Sequence, residues 1–163
     1  MQNRGKAFES VIRESFEKVG GVSIDRIPDQ TMHHKGAVNV ADFIVYKKPY
    51  QHYIECKTVH GNTLPFTNIK PGQWEGLLEK SGIPGVSAGV ICWWVDKGVT
   101  RWIPIEVLNW CKIVKKMKSI RYDYHPFDER TIISKTFDII DIQGKKKRVY
   151  YDYDMKSFLE NFE

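Results

Sequence analysis

The chain has 163 residues, the length of one ordinary domain, and 42% of them are hydrophobic, which is enough to form a buried core. It has no apolar run of about 18 residues and no apolar N-terminal signal segment, so we expect a cytoplasmic protein with no membrane partner. The net charge of +5 fits a polyanionic partner, and the three widely spaced cysteines indicate neither a disulfide framework nor a zinc site.

The spacing of apolar residues predicts helices and strands in alternation. A first helix is expected at residues 6–19, where apolar residues recur three and four positions apart, followed by a strand at 22–27 and a polar loop at 28–39. The later elements are predicted as strands at 41–46 and 52–59, a loop at 60–70, a helix at 71–82, strands at 87–95 and 100–104, a helix at 105–117, strands at 137–142 and 148–153, and a helix at 155–162. This order predicts one α/β domain over residues 1–163, with a central mixed β-sheet flanked by α-helices.

Two carboxylates and a lysine are predicted to converge on the hairpin of the second and third strands. Side chains alternate across a strand, so Glu55 and Lys57 point to one face and Cys56 to the other. A hairpin centred between residues 49 and 50 would place Asp42 opposite Lys57 and diagonal to Glu55, with about 5–8 Å between the two Cβ atoms of the carboxylates.

Carboxylates this close repel each other, and a divalent cation between them would remove the repulsion. Hard oxygen ligands with few protein donors suit Mg²⁺, for which Mn²⁺ is expected to substitute, and Lys57 beside the metal could orient a water or neutralise developing charge. The alternative is an exposed strand that carries a cross-strand ion pair, because the Glu-x-Lys tripeptide is common on its own.

The order and spacing of these residues resemble the PD-(D/E)xK nuclease superfamily and, within it, the Holliday junction resolvases of the RecU type. The matching positions are Asn3-Arg4-Gly5 before a helix that carries Glu9, then Asp42, Glu55-Cys56-Lys57, Gln73 in the next helix, and Tyr151-Asp152-Tyr153 near the end. The chain departs from that family at Ala41, where a threonine is usual, and in the short 28–39 segment, where the family has a long stalk.

The resemblance implies a restriction-endonuclease-like fold and an endonuclease that makes paired nicks in four-way DNA junctions as a homodimer, in recombination, repair or phage DNA processing. If the protein is phage-encoded, its compartment would be the host cytoplasm. The implied catalytic set is Glu9, Asp42, Glu55, Lys57 and Gln73. Asp42 and Glu55 would bind the metal together with the Cys56 carbonyl oxygen, Glu9 would support the site, and Lys57 would act on the nucleophilic water.

Basic and histidine residues are candidates for contacts to DNA phosphates. The predicted set is Arg4, Lys6, His33, His34, Lys35, Lys70, Lys145, Lys146 and Lys147. A second basic run, at residues 112–121, fits either a solvated helix face or a further phosphate-binding surface. Two other functions stay open: a restriction-like or repair endonuclease that acts on duplex DNA, and a non-catalytic DNA-binding module on the same fold.

Overall fold

A computed structural model describes residues 3–28, 39–126 and 138–163. The helices are α1 (Arg4–Glu17), α2 (Pro71–Ser81), α3 (Ile105–Ile113) and α4 (Met155–Glu160). The strands are β1 (Ser23–Arg26), β2 (Phe43–Lys47), β3 (Tyr50–Val59), β4 (Thr63–Pro65), β5 (Val86–Trp94), β6 (Val99–Pro104), β7 (Ser119–Arg121), β8 (Ile140–Asp141), β9 (Gly144–Lys146) and β10 (Tyr151–Tyr153). Within these ranges, each helix is too short or too polar to cross a membrane. Most of the predicted 28–39 loop, with His33, His34 and Lys35, lies outside the described residues.

A six-stranded sheet forms the centre of the fold, in the order β1-β2-β3-β5-β6-β8. The β3–β5 pair is parallel and the other neighbours are antiparallel, so the sheet is mixed. One core lies between the sheet and helices α2 and α3, and a second lies between the opposite face and helices α1 and α4. The predicted fold class, a central mixed sheet flanked by helices, is therefore confirmed.

Local signals explain where the two helices nearest the candidate site begin. The Asn3 side chain accepts a hydrogen bond from the Gly5 amide at 3.0 Å, so α1 starts at Arg4, two residues earlier than predicted. Helix α1 then buries Phe8, Ile12 and Phe16 against the sheet. Helix α2 begins at Pro71, in agreement with the expectation that proline occupies a first helical turn.

The predicted hairpin register was wrong by two residues. Lys47 pairs with Tyr50, so the turn contains only Lys48 and Pro49, and Phe43 pairs with Ile54. A shift of two residues preserves the face of each side chain, because side chains in a strand repeat every second position. Its consequence is that Asp42, directly before β2, lies level with Glu55 instead of Lys57.

Helix α3 ends at Ile113, four residues before its predicted end. The chain turns out of the helix through Lys116, whose φ of 58° is left-handed, and the Met117 amide donates to the Cys111 carbonyl at 3.0 Å. This geometry resembles the helix ends that usually carry glycine, and a residue with a Cβ atom pays roughly 1 kcal/mol for it. The segment after the turn forms β7, which pairs with β4 inside the predicted 60–70 loop.

A buried histidine at the start of β3 makes stability depend on pH. His52 is 1% exposed, contacts Ser87 Oγ at 2.6 Å through its Nδ1, and packs on the rings of Phe158 and Phe162. Burial lowers the pKa of His52 to about 4. The unfolded chain therefore takes up a proton near pH 6.5 that the folded protein resists down to about pH 4, so acid favours unfolding.

We expect His52 alone to lower the free energy of unfolding by about 3 kcal/mol between pH 7 and pH 4. Urea unfolding of the wild-type protein and of His52→Gln at both pH values measures this, because the carboxylates contribute equally to both proteins. The wild-type protein should lose about 3 kcal/mol more than the variant over this interval. Equal losses of unfolding free energy in the two proteins would show that the pKa of His52 is not lowered in the folded protein.

Candidate active site

Glu55 and Lys57 lie side by side on β3, on the face of the sheet that packs against α2 and α3. The Glu55 side chain is 4% exposed, the Lys57 side chain is 22% exposed, and Lys57 Nζ lies 2.8 Å from Glu55 Oε1. Cys56, between them, is buried in the opposite core. The alternation expected along this strand is thus present, and the ion pair joins a buried Glu55 to a partly exposed Lys57, so it is not an ion pair on an exposed strand.

The Glu55 carboxylate is only half satisfied by its neighbours. Its Oε1 atom accepts from Lys57, whereas its Oε2 atom is buried without a hydrogen-bond partner. Burial first, and the charge of Asp42 second, raise the pKa of Glu55 to about 7, against the lowering effects of Lys57 and Gln73. A buried oxygen without a hydrogen-bond partner destabilises the folded protein, and a cation bound at Oε2 would remove this cost.

Asp42 is fixed by hydrogen bonds to both of its neighbouring strands. Its Oδ2 atom accepts from the Cys56 amide at 2.8 Å, and its own amide donates to the Ile54 carbonyl at 3.0 Å. On the other side, the Asp42 carbonyl accepts from the Ile27 amide at 2.8 Å. These bonds hold the Asp42 carboxylate against the strand segment that carries Glu55.

Gln73, in the first turn of α2, reaches the same group. Its Oε1 atom accepts from the Lys70 amide at 3.3 Å, and its side chain lies close enough to Glu55 to lower the pKa of that carboxyl. Helix α2 begins at Pro71, so Gln73 lies in its first turn, on the side of the sheet that carries Glu55. The structure therefore brings together four predicted residues: Asp42, Glu55, Lys57 and Gln73.

Glu9 approaches from helix α1, on the opposite side of the sheet. Its Oε2 atom lies 3.3 Å from Arg26 Nη2, and its charge raises the pKa of the Cys56 thiol. Lys6, another predicted DNA contact, lines a cleft of about 240 Å³ together with Glu9 and Arg26. Glu9 is thus paired with a cation and lies within electrostatic range of the strand that carries the candidate site.

The protein groups that could hold a divalent cation are the two carboxylates and a backbone oxygen. Among the described residues, no group of three or more His, Cys, Asp or Glu side chains is arranged to bind a metal ion. The Cys56 thiol is buried, and burial raises its pKa well above the ordinary value, so its sulfur stays protonated. Only the Cys56 carbonyl could then act as a ligand, and the orphaned Glu55 Oε2 atom fits a cation at this place.

Arg4, the first residue of α1, belongs to a hydrogen-bond network with His60 and Asp96 that the sequence did not predict. Arg4 Nη1 lies 3.0 Å from His60 Nε2, His60 Nδ1 lies 3.1 Å from Asp96 Oδ1, and the Gly61 amide donates to Asp96 Oδ2 at 2.6 Å. His60 and Asp96 follow the ends of β3 and β5, which are parallel neighbours, so the topology alone brings them together. No spacing in the sequence indicates this contact.

The other predicted DNA contacts within the described residues occupy two separate places. Lys70 is exposed directly before α2, next to Gln73. Lys145 and Lys146 lie in β9 and Lys147 follows them, in a hairpin whose turn is closed by the Lys147 amide and the Tyr150 carbonyl at 2.8 Å. His33, His34 and Lys35 lie outside the described residues.

The fold is similar to that of a solved Holliday junction resolvase. That protein is Hjc from the archaeal hyperthermophile Archaeoglobus fulgidus, with 17% sequence identity and a TM-score of 0.48. The similarity covers 64% of this chain and 75% of Hjc. No protein-family model and no curated protein matches the chain.

Proposed function

We propose that the protein is a Mg²⁺-dependent DNA endonuclease that makes paired nicks in four-way junctions as a homodimer. The observation that carries this proposal is the buried Glu55 carboxylate, which is held by Lys57, lies near the charge of Asp42, and has an unpartnered Oε2 atom. Such a carboxylate pair with an adjacent lysine suits metal-assisted attack of water on a phosphodiester.

The donor set supports Mg²⁺ over metals that need more protein ligands. Mg²⁺ commonly binds through one or two carboxylates, keeps several waters and takes phosphate oxygens from its substrate. Asp42 and Glu55 would supply the carboxylates and Cys56 its carbonyl oxygen, and Mn²⁺ is expected to substitute. When bound, the metal would acidify a water and polarise the phosphate.

The remaining residues have distinct tasks in this proposal. The Cys56 amide orients the Asp42 carboxylate through the 2.8 Å hydrogen bond to its Oδ2 atom. Lys57 favours the charged form of Glu55, because it lowers the pKa of that carboxyl, and it offers an ammonium group to an attacking water or to the oxygens of the phosphate. Gln73 assists Lys57 by stabilising the charged form of Glu55, while Glu9 would support the site from α1.

The choice of a junction and of a homodimer rests on symmetry. A four-way junction has near two-fold symmetry, and two-fold dimers are the commonest oligomers. The described residues of one copy carry one candidate site, so two nicks at symmetric positions need two copies. The net charge of +5 is consistent with an anionic partner of this kind.

A supercoiled plasmid with an extruded cruciform tests this proposal. One nick relaxes the plasmid, and the cruciform is then reabsorbed, whereas two nicks within the lifetime of one complex yield linear DNA. We expect mostly linear product with Mg²⁺ and none with EDTA. Mostly nicked circles, or a monomer bound to the junction in light scattering, would contradict paired cleavage and favour an endonuclease that acts on duplex DNA.

A further inference from the structure

A lysine-rich surface lies at the C-terminal end of α3. Residues 107–121 include four lysines and one arginine but no aspartate or glutamate. We define the α3 lysine surface by Lys112, Lys116 and Lys118, which are all exposed. Within the part of the chain that the structure describes, none of these three lysines forms an ion pair with a carboxylate. Their charges are therefore left for a partner or for solvent.

The α3 lysine surface adjoins the candidate active site through α2. Lys112 Nζ lies 4.5 Å from the ring centroid of Trp74, the residue that follows Gln73. Trp74 Nε1 also donates to Asn109 Oδ1 at 3.1 Å, which fastens α3 to the beginning of α2. Lys112, on α3, therefore lies next to the first turn of α2, the turn that also carries Gln73. An extended polyanion that reached Glu55 could contact Lys112 as well.

Lys118, at the other end of the α3 lysine surface, is joined to the segment that follows β3, the strand of Glu55 and Lys57. The Lys118 carbonyl accepts from the Phe66 amide at 2.9 Å, and the Phe66 ring lies 5.6 Å from the Trp74 ring. Strand β7, which starts directly after Lys118, pairs with β4. The lysines are therefore held in place relative to the site by packed and hydrogen-bonded elements.

Lys116 occupies a position that would suit glycine better. Its φ of 58° makes it the one non-glycine residue with positive φ among the described residues. A glycine there would relieve the strain, and it would also reduce the repulsion between neighbouring lysines. A strained lysine inside a like-charged cluster points to a task other than stability.

We infer that the α3 lysine surface binds the phosphate backbone of the DNA that enters the active site. The inference rests on the proposed nuclease function and deepens it. Exposed Ile113 and Val114 lie among these lysines, but a second copy of the chain would bring the same positive charges face to face. Charge complementarity therefore favours DNA as the partner.

The Lys145–Lys147 hairpin is in a less favourable position for this task. Tyr150 and Tyr151 pack its hairpin on Trp93, in the core on the opposite face of the sheet from Glu55. Lys145 also lies opposite Asp152, whose pKa is lowered first by Lys18 and then by Lys147 and Lys145. Part of the hairpin charge is thus already balanced within the protein.

Two variants with the same change in charge compare these surfaces. The first combines Lys112→Met, Lys116→Gly and Lys118→Ala, and its control replaces Lys145, Lys146 and Lys147 with alanine. Methionine preserves the packing on Trp74, and glycine suits the backbone at position 116. Binding of a synthetic four-way junction is measured in EDTA at several salt concentrations, together with urea unfolding of each protein.

We expect the first variant to lower the slope of log affinity against log salt by about 2–3, since each lost phosphate contact removes about 0.9. Its affinity at about 0.1 M salt should fall at least tenfold. The control should lower the slope by less than the first variant does, and Lys116→Gly alone should unfold at an equal or higher urea concentration while binding DNA more weakly.

An unchanged salt slope in the first variant, or an equal reduction of the slope in the control, would overturn the inference. The proposed function would still stand in that case if the wild-type protein cleaves the junction. Dissociation of a dimer by the first variant would also overturn the inference, by assigning the surface to contacts between copies. If the wild-type protein neither binds nor cuts DNA, the proposed function fails, and the inference fails with it.

Discussion

Replacing Glu55 with glutamine is expected to reduce the rate of DNA cleavage by roughly three orders of magnitude and to leave DNA affinity within a few-fold of wild type. The loss follows from the metal, whose stabilisation of charge in a phosphodiester reaction is worth several kcal/mol. Affinity should persist because it comes from lysine and arginine contacts to phosphate. Asp42→Asn should behave similarly, because asparagine can still accept the hydrogen bond from the Cys56 amide.

Glu79→Gln is the matched control for this prediction, since Glu79 is exposed on α2 and takes the same substitution. Mobility shift in EDTA reports binding, and junction cleavage in Mg²⁺ reports activity. Urea unfolding of Glu55→Gln checks that the variant is folded, because the substitution removes the anionic partner of Lys57. Cleavage by Glu55→Gln at the wild-type rate would remove the proposed site.

Lys57→Ala is expected to slow the chemical step by about 10²–10³-fold, and saturating Mg²⁺ should not restore the rate. Lysine is a cation and cannot be a metal ligand, so the lost interaction is with the water or the developing charge. Its 22% side-chain exposure leaves it accessible to a substrate as well as to Glu55. Single-turnover cleavage at increasing Mg²⁺ concentrations measures the effect.

Two further proteins separate charge from packing at position 57. Lys57→Met preserves the aliphatic chain and should be as slow as Lys57→Ala, while Lys156→Ala, at an exposed position of α4, should cleave like wild type. If high Mg²⁺ returned Lys57→Ala to the wild-type rate, Lys57 would only shape the metal site. A fast Lys57→Met would likewise argue against a role for the ammonium group.

The sequence was sufficient to predict the order of the main elements and the face that Glu55 and Lys57 share. Both predictions depend on short-range periodicity, which survives errors in the ends of an element. The hairpin register depends on where a turn closes, and the two-residue Lys48-Pro49 turn moved it by two positions. Strands β4 and β7 are three residues each, too short to produce a recognisable pattern.

The electrostatic character of the site could not be predicted, because it depends on tertiary packing. Glu55 is buried by its tertiary surroundings, which include Gln73 from α2, and the unpartnered Oε2 atom follows from that burial. The Arg4–His60–Asp96 network joins residues 36 and 56 positions apart, which no local pattern encodes. Likewise, Lys116 appears in the sequence as one of several lysines, and only its backbone conformation distinguishes it.

The central claim is that Asp42 and Glu55 hold a divalent cation that DNA cleavage requires. The most direct measurement is cleavage of a synthetic four-way junction and its matched linear duplex by the wild-type protein in Mg²⁺, in EDTA, and in EDTA with Mg²⁺ restored in excess. We predict cleavage of the junction in preference to the duplex, complete loss in EDTA, and full recovery with Mg²⁺. Cleavage that persists in EDTA, or no cleavage of either DNA under any of these conditions, would contradict the claim.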